Sequence, residues 1–337
     1  MVSLGKVTLG VQIIGLIGCA HPQPARMAPQ AAGLCRSGEV RWFAPEDARA
    51  RARLDAWCAA VGPVATASGA PSVDAPVPAS DVAFVSWNVH VGNGNLRAFV
   101  EDLRSGRLTS GRPPRHFVLL IQEAVRASAV PPFARGAEGA RRINARHQAA
   151  EDIDVVSRSL GLWLIYAPSM RNGGGGDPAG DRGSAILSTL PLSNPTAVEL
   201  PIGRQRRVAL FADVALSPTS KMPVGVIHLD ALNGAHGLWI LGARGWRETQ
   251  ARSMETLLPD GALVLGADLN TWLGEGEAAA RYFRRIVGGP APVIEGSRAR
   301  HRTLDYLFFR GAAAPHALVV SNRYGSDHHP LIGWFSN

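Results

Sequence analysis

Short apolar runs alternate with helix-like patterns along most of the chain, from residue 81 to the C-terminus. Short runs bounded by turn-forming residues predict buried strands, and apolar residues three or four positions apart predict helices. The predicted strands are residues 82–89, 117–121, 162–166, 184–188, 208–216, 224–228, 262–266, 303–309, 318–321 and 331–334. The predicted helices are residues 96–103, 142–160, 243–258 and 275–287. This alternation indicates a domain of mixed α and β structure.

The first residues have the pattern of an export signal. Lys6 precedes an apolar stretch, residues 7–17, which is too short to span a bilayer and is typical of a signal-peptide core. The stretch ends in Leu16-Ile17-Gly18-Cys19, which is similar to a bacterial lipobox. We expect residues 1–19 to be a lipoprotein signal peptide with Cys19 as the lipidated residue; the alternative is an ordinary export signal or an incorrect start. This predicts an exported protein, lipid-anchored to a bacterial membrane at its periplasmic face or at the cell surface.

Residues 20–80 are predicted to precede the main domain, residues 81–337. The Pro-, Ala- and Gln-rich stretch 21–33 is typical of a flexible tether. A short helix is predicted between Pro45 and Val61, because a proline and two acidic residues begin it and Gly62-Pro63 ends it. The following stretch to residue 80 is again rich in small residues and proline, and is predicted to be a linker.

Cysteine usage agrees with export. The chain has three cysteines. If Cys19 carries the lipid, Cys35 and Cys58 remain, and an oxidising compartment would allow them to form a disulfide. Two unpaired thiols are the alternative. No cysteine–histidine cluster has the spacing of a structural zinc site.

Polar residues follow several of the predicted strands directly. Glu123 comes after the apolar run 117–121, where a carboxylate can hold a hard cation such as Mg²⁺. Asp268 and Asn270 follow another run, and a spacing of two on an extended chain turns both side chains to one side. His228 ends a third run, where it can donate to a phosphate oxygen. Each has an ordinary alternative: a solvated loop glutamate, an Asx turn and a structural histidine.

Asp305 is the candidate that packing explains least well. It lies within the apolar run 303–309, and a carboxylate in such a strand needs a partner. Near the C-terminus the sequence Ser326-Asp327-His328-His329-Pro330 supplies a histidine. We therefore predict that His328 pairs with Asp305, which leaves Asp327 to face a metal ion.

The net charge of +8 is almost entirely due to arginine, because Lys6 and Lys221 are the only lysines. Such an excess favours polyanionic partners, for example nucleic acid or an acidic lipid surface. A composition shaped by a GC-rich genome is an equally good explanation. Charge therefore agrees with a phosphate-bearing substrate but does not select one.

Taken in order, these motifs resemble the endonuclease/exonuclease/phosphatase superfamily, the deoxyribonuclease I-like fold. The resemblance covers about three quarters of the chain, from Asp81 onward, which we expect to be the catalytic domain. It implies a four-layer sandwich in which two mixed β-sheets pack face to face with helices outside. The matching segments are Trp87-Asn88, Gln122-Glu123, Arg182-Gly183-Ser184-Ala185-Ile186-Leu187-Ser188, His228-Leu229, Gly266-Ala267-Asp268-Leu269-Asn270, Leu304-Asp305-Tyr306 and Ser326-Asp327-His328.

The resemblance also implies roles for individual residues. It implies that Mg²⁺, or Mn²⁺, is bound by Glu123 with Asp327 and Asn88 close to the ion. It implies that the remaining candidates act on the attacking water or on the phosphate. His328 oriented by Asp305 and Asp268 aligned by Asn270 are competing candidates for the general base, and His228 steadies developing charge or protonates the leaving group. Tyr166 is a further candidate for a phosphate contact, with a core-edge tyrosine as the alternative.

The function that these expectations favour is a metal-dependent phosphodiesterase, most plausibly a nuclease, in which water attacks in line. A phosphatase, a sphingomyelinase-like phospholipase or an inositol-phosphate phosphodiesterase would share the same site. The non-enzymatic alternative is a surface lipoprotein that uses the fold only for binding. We expect a monomer.

Overall fold

The computed structural model describes residues 23–69, 75–127, 140–141, 151–172, 180–231, 239–287, 303–311 and 315–336. The predicted signal peptide and Cys19 lie outside the described residues, as does most of the glycine-rich stretch that follows Asn172. No α-helix within the described ranges is long and apolar enough to cross a membrane.

Within these ranges the chain forms fifteen strands and five α-helices. The strands are β1 Met27–Gln30, β2 Arg41–Pro45, β3 Ala65–Ala67, β4 Val82–Asn88, β5 His116–Arg126, β6 Ala140–Arg141, β7 Trp163–Asn172, β8 Asp181–Ser188, β9 Leu192–Glu199, β10 Val208–Ala215, β11 Lys221–His228, β12 Leu263–Asp268, β13 Asp305–Arg310, β14 His316–Val319 and β15 Leu331–Trp334. The helices are α1 Ala48–Cys58, α2 Leu96–Arg104, α3 Ile153–Leu160, α4 Trp239–Arg252 and α5 Ala278–Val287.

The strands form two mixed sheets. One sheet has seven strands in the order β1-β2-β9-β10-β11-β12-β13. The other has eight, in the order β14-β15-β4-β5-β8-β7-β3, with β6 beside β7. The pairs β4–β5 and β11–β12 are parallel and lie in different sheets. Most of the other neighbouring pairs are antiparallel, so each sheet is mixed as predicted.

Three apolar clusters define the layers. One contains residues of both sheets, such as Phe84 and Val226, and lies between them. A second joins the outer face of the eight-stranded sheet to α2 and α3 through residues such as Phe99 and Val156. A third joins the seven-stranded sheet to α4 and α5 through residues such as Phe283. The predicted four-layer sandwich is therefore confirmed.

The strand directions bring polar residues to one edge of the sandwich. Asn88 and His228 end β4 and β11, and the parallel neighbours of these strands carry Glu123 and Asp268 at the same level. Strand β13 runs antiparallel to β12, so Asp305 at its start lies directly opposite Asp268. A side chain at Gly266 would meet Leu120 of the facing sheet at 2.7 Å, so this glycine allows the two sheets to approach closely beside the site.

The N-terminal segment differs from its predicted role as tether and linker. Strands β1 and β2 extend the seven-stranded sheet, where β2 pairs in parallel with β9. Strand β3 pairs with β7 at the edge of the other sheet. Helix α1 is present within the predicted bounds, and Cys35 and Cys58 form a disulfide, the first of the two alternatives that the sequence left open. The prediction of unstructured connections was wrong because backbone pairing with distant strands orders a segment whose own composition is weakly structured.

Irregular strands account for the other differences. Strand β9 was not predicted, because its sequence contains Asn194 and Pro195; Asn194 has a left-handed φ of 52° and both lie at a register shift against β10. Strand β5 does not end at Ile121 but continues to Arg126 across a β-bulge. Proline, glycine and bulges interrupt the local pattern without ending the strand.

Candidate active site

A pocket of about 310 Å³ opens at the sandwich edge where the polar strand ends meet. Seven of the predicted residues line it: Asn88, Glu123, His228, Asp268, Asn270, Asp327 and His328. Seven further residues share the lining, of which four are basic or amide side chains that were not predicted: His90, Val91, Arg182, Gln205, Arg207, Ala231 and Trp272. Asp305 is buried behind His328, at 1% exposure.

The predicted pair of Asp305 and His328 is present. Nδ1 of His328 lies 2.9 and 2.8 Å from the two carboxylate oxygens of Asp305. Burial by itself lowers the pKa of His328, but the Asp305 carboxylate, assisted by Asp268 and Asp327, outweighs it and raises the pKa to about 9. The His328 imidazole is therefore protonated at neutral pH, with its Nε2–H available to donate.

Asp268, unlike His328, is largely deprotonated at neutral pH. Burial, and then the neighbouring Asp305 carboxylate, raise the pKa of Asp268 to about 6. Two hydrogen bonds and one charge favour the ionised form: Nδ2 of Asn88 donates at 2.8 Å, the backbone N–H of Asn270 donates at 2.9 Å, and the positive charge of His328 lies nearby. A pKa of this size suits a general base near neutral pH. Of the two candidates for the base, Asp268 has the pKa that matches this role and His328 does not.

Asn270 aligns Asp268 through its backbone rather than its side chain. The backbone N–H closes an Asx turn onto Oδ1 of Asp268, while Nδ2 of the Asn270 side chain donates to the carbonyl of Leu229 at 3.0 Å. Asn270 lies beyond the end of β12 and has a left-handed φ of 51°. The side chains of Asp268 and Asn270 both line the pocket, as predicted. The cause is the Asx turn after β12 and not the alternation of side chains along a strand.

His228 is held as a neutral hydrogen-bond donor. Its Nδ1 lies 3.0 Å from Nη1 of Arg207. A guanidinium can only donate, so Nδ1 accepts and the proton of the imidazole is on Nε2. Burial lowers the pKa of His228 well below its ordinary value, and the charge of Arg207 lowers it further. Nε2 lies 3.4 Å from Oδ2 of Asp268 and 4.0 Å from Oε1 of Glu123, so its proton is directed into the pocket.

A chain of hydrogen bonds fixes the loop that carries His328. The hydroxyl of Ser326 donates to the carbonyl of Asn88 at 2.6 Å and accepts from the backbone N–H of His328 at 3.0 Å. Nε1–H of Trp87 donates to the carbonyl of His328 at 3.2 Å. These contacts tie the C-terminal loop to the end of β4. They explain why serine and tryptophan accompany the catalytic candidates in the sequence.

Glu123 owes its position to the bulge in β5. Its φ is 57°, and the register of β5 against β8 shifts between Ile121 and Ala124. A bulge redirects the extra residue away from the regular alternation. The Glu123 side chain is 18% exposed and lines the pocket, whereas the regularly placed Gln122 before it is fully buried.

The oxygen atoms at this end of the pocket fit a hard divalent cation. Glu123 and Asp327, whose side chain is 29% exposed, supply carboxylates. Oδ1 of Asn88 is turned away from Asp268, because its Nδ2 donates there, and accepts from the backbone N–H of His90 at 2.9 Å. Oxygen donors of this kind suit Mg²⁺ or Mn²⁺. These are the residues predicted to hold the metal.

Asp268, Asp305 and His328 form a second close group, with ligand atoms within 4.8 Å of one another. Their atoms are already engaged. Both oxygens of Asp305 face Nδ1 of His328, and the oxygens of Asp268 accept from Asn88 and Asn270. We therefore assign this group to proton and phosphate chemistry rather than to metal binding.

Tyr166 does not contact the pocket, so the predicted phosphate contact is wrong. Its side chain is fully buried, and its hydroxyl donates to Oδ1 of Asp181 at 2.8 Å. The alternative, a tyrosine at the edge of the core, is what the structure has. The apolar run before Tyr166 continues as β7 to Asn172, so the residue lies in the middle of a strand and not at its end.

Arg182 and Arg207 are the most important pocket residues that sequence reasoning missed as site residues. Both are nearly buried, at 8% and 4% exposure, and both lie close enough to His228 to lower its pKa. Arg182 lies within one of the matching segments, and Arg207 immediately precedes β10. In an arginine-rich chain neither position carried a signal that set it apart from the exposed arginines.

Three solved structures are similar to this chain at low sequence identity. The catalytic domain of human Nocturnin with bound sulfate anion is 15% identical, with a TM-score of 0.47 over 82% of this chain and 97% of that chain. An endonuclease/exonuclease/phosphatase from Beutenbergia cavernae is 16% identical, with a TM-score of 0.49 over 76% and 72%. Sphingomyelinase C from Streptomyces griseocarneus is 13% identical, with a TM-score of 0.42 over 75% and 99%. None of the curated protein sequences matches the chain.

The sequence itself matches the model of the endonuclease/exonuclease/phosphatase family over residues 85–328. That match spans well over half of the 337 residues and includes every residue that lines the pocket. Members of this family hydrolyse phosphate esters, in general with a divalent metal. This protein therefore belongs to the endonuclease/exonuclease/phosphatase family and is a hydrolase that acts on ester bonds.

Proposed function

We propose that this protein is a Mg²⁺-dependent phosphodiesterase that cleaves nucleic acid by in-line attack of water. The observation that carries the proposal is that Asp268 and the Asp305–His328 pair lie together at a pocket that is also lined by the oxygen donors Glu123, Asp327 and Asn88. Asp268, with a pKa of about 6, is largely ionised at pH 7, while His328, with a pKa of about 9, is protonated beside it. A base and a cation held a few ångströms apart suit the transfer of a phosphoryl group to water.

The residues of the pocket have different roles in this reaction. Asp268 accepts a proton from the attacking water while the new P–O bond forms and the bond to the leaving oxygen breaks. The protonated His328 and Nε2–H of His228 donate to oxygens on which negative charge develops. Glu123, Asp327 and Asn88 would hold Mg²⁺, which when bound neutralises phosphoryl oxygens and stabilises the leaving oxygen.

Nucleic acid is the substrate class that the charge favours. The chain carries a net charge of +8, and Arg182 and Arg207 add two cations to the pocket itself. Neutralisation of several phosphates by arginine is the main source of affinity for a polynucleotide. A lipid head group or a phosphomonoester would use the pocket but would gain less from charge spread over the rest of the surface.

A panel of substrates tests the proposal. Plasmid DNA, RNA, sphingomyelin and a phosphomonoester are offered side by side, with Mg²⁺ and with a chelator, to the wild type and to His328→Gln. We expect Mg²⁺-dependent cleavage of DNA or RNA that the variant loses. Release of a lipid head group or of inorganic phosphate, with polynucleotides left intact, would replace this function by one of the other esterases that share the site.

We also propose that the protein is exported and lipid-anchored through Cys19. The support is the lipobox-like sequence together with the disulfide between Cys35 and Cys58, since stable disulfides belong to oxidising compartments. Growth with labelled palmitate tests the anchor. We expect label in the wild type and none in Cys19→Ala; label in neither would refute the anchor while leaving the enzymatic proposal intact.

A further inference from the structure

Two buried charge networks connect the N-terminal segment, residues 23–69, to the strands that carry the pocket. This segment precedes the region that matches the family, residues 85–328. Its strands pair at the edges of both sheets, and its disulfide closes it between Cys35 and Cys58. The family match therefore does not account for what the segment does.

The first network surrounds Glu199, which is fully buried. Nε of Arg206 donates to Glu199 Oε1 at 2.8 Å, and Nε of Arg36 donates to Oε2 at 3.0 Å. Nη2 of Arg206 also donates to Sγ of Cys35 at 3.1 Å, and Arg36 reaches Asp55 on α1 at 2.8 Å. Nη1 of Arg206 donates to the carbonyls of Pro168 and Ser169, at 2.8 and 3.2 Å. This fully buried arginine, which lies two residues before β10, is therefore held by strand β7, by Glu199 and by the disulfide of the N-terminal segment.

The second network surrounds Asp181, also fully buried. Arg126 donates to both of its carboxylate oxygens, at 3.2 and 2.6 Å. The N-terminal segment contributes at two points: the backbone N–H of Gly62 donates to Asp181 at 2.9 Å, and the carbonyl of Pro63 accepts from Arg126 at 2.7 Å. The same segment therefore completes the hydrogen bonding of both buried networks.

Each network contains the residue that directly precedes a pocket arginine in the sequence. Asp181 precedes Arg182, and Arg206 precedes Arg207. Successive side chains of β8 point to opposite sides, so anchoring Asp181 fixes the backbone from which Arg182 projects. Arg206 and Arg207 lie just before β10, where the backbone N–H of Leu200 still donates to the carbonyl of Arg207 at 2.9 Å. Arg207 is further fixed by its own contacts, with Nη1 on His228 and Nη2 donating to Gln205 at 2.9 Å. One hydrogen on each of these Nη atoms remains for a ligand.

We propose that the disulfide-closed segment 23–69 is a positioning element that presents Arg182 and Arg207 as a clamp for a phosphate group. Two guanidinium groups fixed from behind can meet a phosphate with little loss of side-chain freedom. The clamp deepens the proposed function, because a phosphate ester is what the pocket would receive. It does not depend on which ester is cleaved.

Binding of inorganic phosphate, measured by calorimetry with and without Mg²⁺, tests the clamp without requiring hydrolysis. Arg207→Gln should weaken phosphate binding about 10- to 100-fold, the range for hydrogen bonds between charged groups. Arg206→Gln, which leaves Arg207 itself unchanged and removes the contacts that hold the residue before it, should weaken phosphate binding several-fold. The double variant should lose no more than Arg207→Gln alone, because Arg206 acts through Arg207.

A matched control separates positioning from general stability. Arg247 on α4 is as deeply buried as Arg206 and forms an equivalent pair with Glu277, at 3.1 and 2.6 Å. Arg247→Gln should lower the melting temperature as Arg206→Gln does and leave the phosphate dissociation constant unchanged. Additive losses in the double variant, or an equal loss of phosphate affinity in Arg247→Gln, would overturn the proposal.

The wild type under reducing conditions provides a second route if Arg206→Gln does not fold. Reduction with dithiothreitol breaks the disulfide and releases the Cys35 sulfur that accepts a hydrogen bond from Arg206. It should weaken phosphate binding by the wild type several-fold. Reduction of Arg207→Gln should cause no further loss of phosphate affinity. Unchanged phosphate binding after complete reduction would contradict a role for the disulfide. If phosphate binding behaves as expected but no nucleic acid is cleaved, the clamp stands and the proposed function fails.

Discussion

Replacing Asp305 by asparagine should convert His328 from a cation into a neutral imidazole. Asp305 is the largest of the interactions that raise the pKa of His328 from 6.5 to about 9, against a burial effect that lowers it. Without that carboxylate, only Asp268 and Asp327 oppose the effect of burial, and we expect the pKa to fall from about 9 towards 6.5. At a pKa of 6.5 the protonated fraction at pH 7 would be about a quarter, instead of about 99%.

The same numbers give the expected effect on stability. Each unit of pKa shift corresponds to about 1.4 kcal/mol, so the raised value is equivalent to about 3 kcal/mol of stabilisation of the folded state. Because the pKa is higher in the folded state, this contribution is complete below pH 6.5 and is lost as the pH rises through about 9. The free energy of unfolding of Asp305→Asn should therefore lack this decline between pH 6.5 and 9.

The effect on activity follows from the lost charge. A single well-placed donor to a developing oxyanion is worth about 10²–10³ in kcat, and we expect a loss of that order at pH 7. The pKa of His328 can be followed by NMR of the imidazole nitrogens, and kcat by initial rates on the preferred substrate. A His328 pKa that stays near 9 in Asp305→Asn would refute the reasoning, whatever the activity.

Three further predictions address other parts of the site. The kcat of the wild type should rise with pH through about 6, as Asp268 ionises, and fall through about 9, as His328 loses its proton; a profile flat across both values would contradict these assignments. Glu123→Gln should weaken binding of Mn²⁺, measured by electron paramagnetic resonance, by at least about tenfold while the melting temperature stays within a few degrees; unchanged affinity would exclude Glu123 as a ligand. The double variant Cys35→Ser, Cys58→Ser should lose about 3 kcal/mol of unfolding free energy, because the disulfide closes a loop of 23 residues, and reduction of the wild type should give the same loss; a loss confined to one of the two would contradict this explanation.

The sequence predicted the convergence of the polar residues because that convergence follows from strand direction. Parallel neighbours point the same way, so the end of β4 lies beside β5 in one sheet and the end of β11 lies beside β12 in the other. The face-to-face packing of the two sheets then brings these two groups of residues together. The pairing of Asp305 with His328 was predictable for a different reason. A carboxylate in an apolar strand needs a partner, and a nearby histidine was available.

The remainder of the site depends on contacts that no local pattern contains. Glu123 reaches the pocket through a bulge, which alternation of apolar and polar positions does not reveal. The N-terminal strands β1, β2 and β3 have weakly structured sequences, and pairing of β2 with β9 and of β3 with β7 orders them. The roles of Arg182 and Arg207 arise from tertiary packing against buried neighbours, and the sequence shows only two more arginines among many.

Nicking of plasmid DNA by Asp268→Asn tests the central claim most directly, with Arg247→Gln as the control for a buried polar change outside the pocket. We expect the wild type to nick DNA with Mg²⁺ and not with a chelator, Asp268→Asn to have a kcat lower by about 10²–10⁴, and Arg247→Gln to retain the wild-type rate once folded. Nicking that persists without metal, or that Asp268→Asn performs at the wild-type rate, would contradict it.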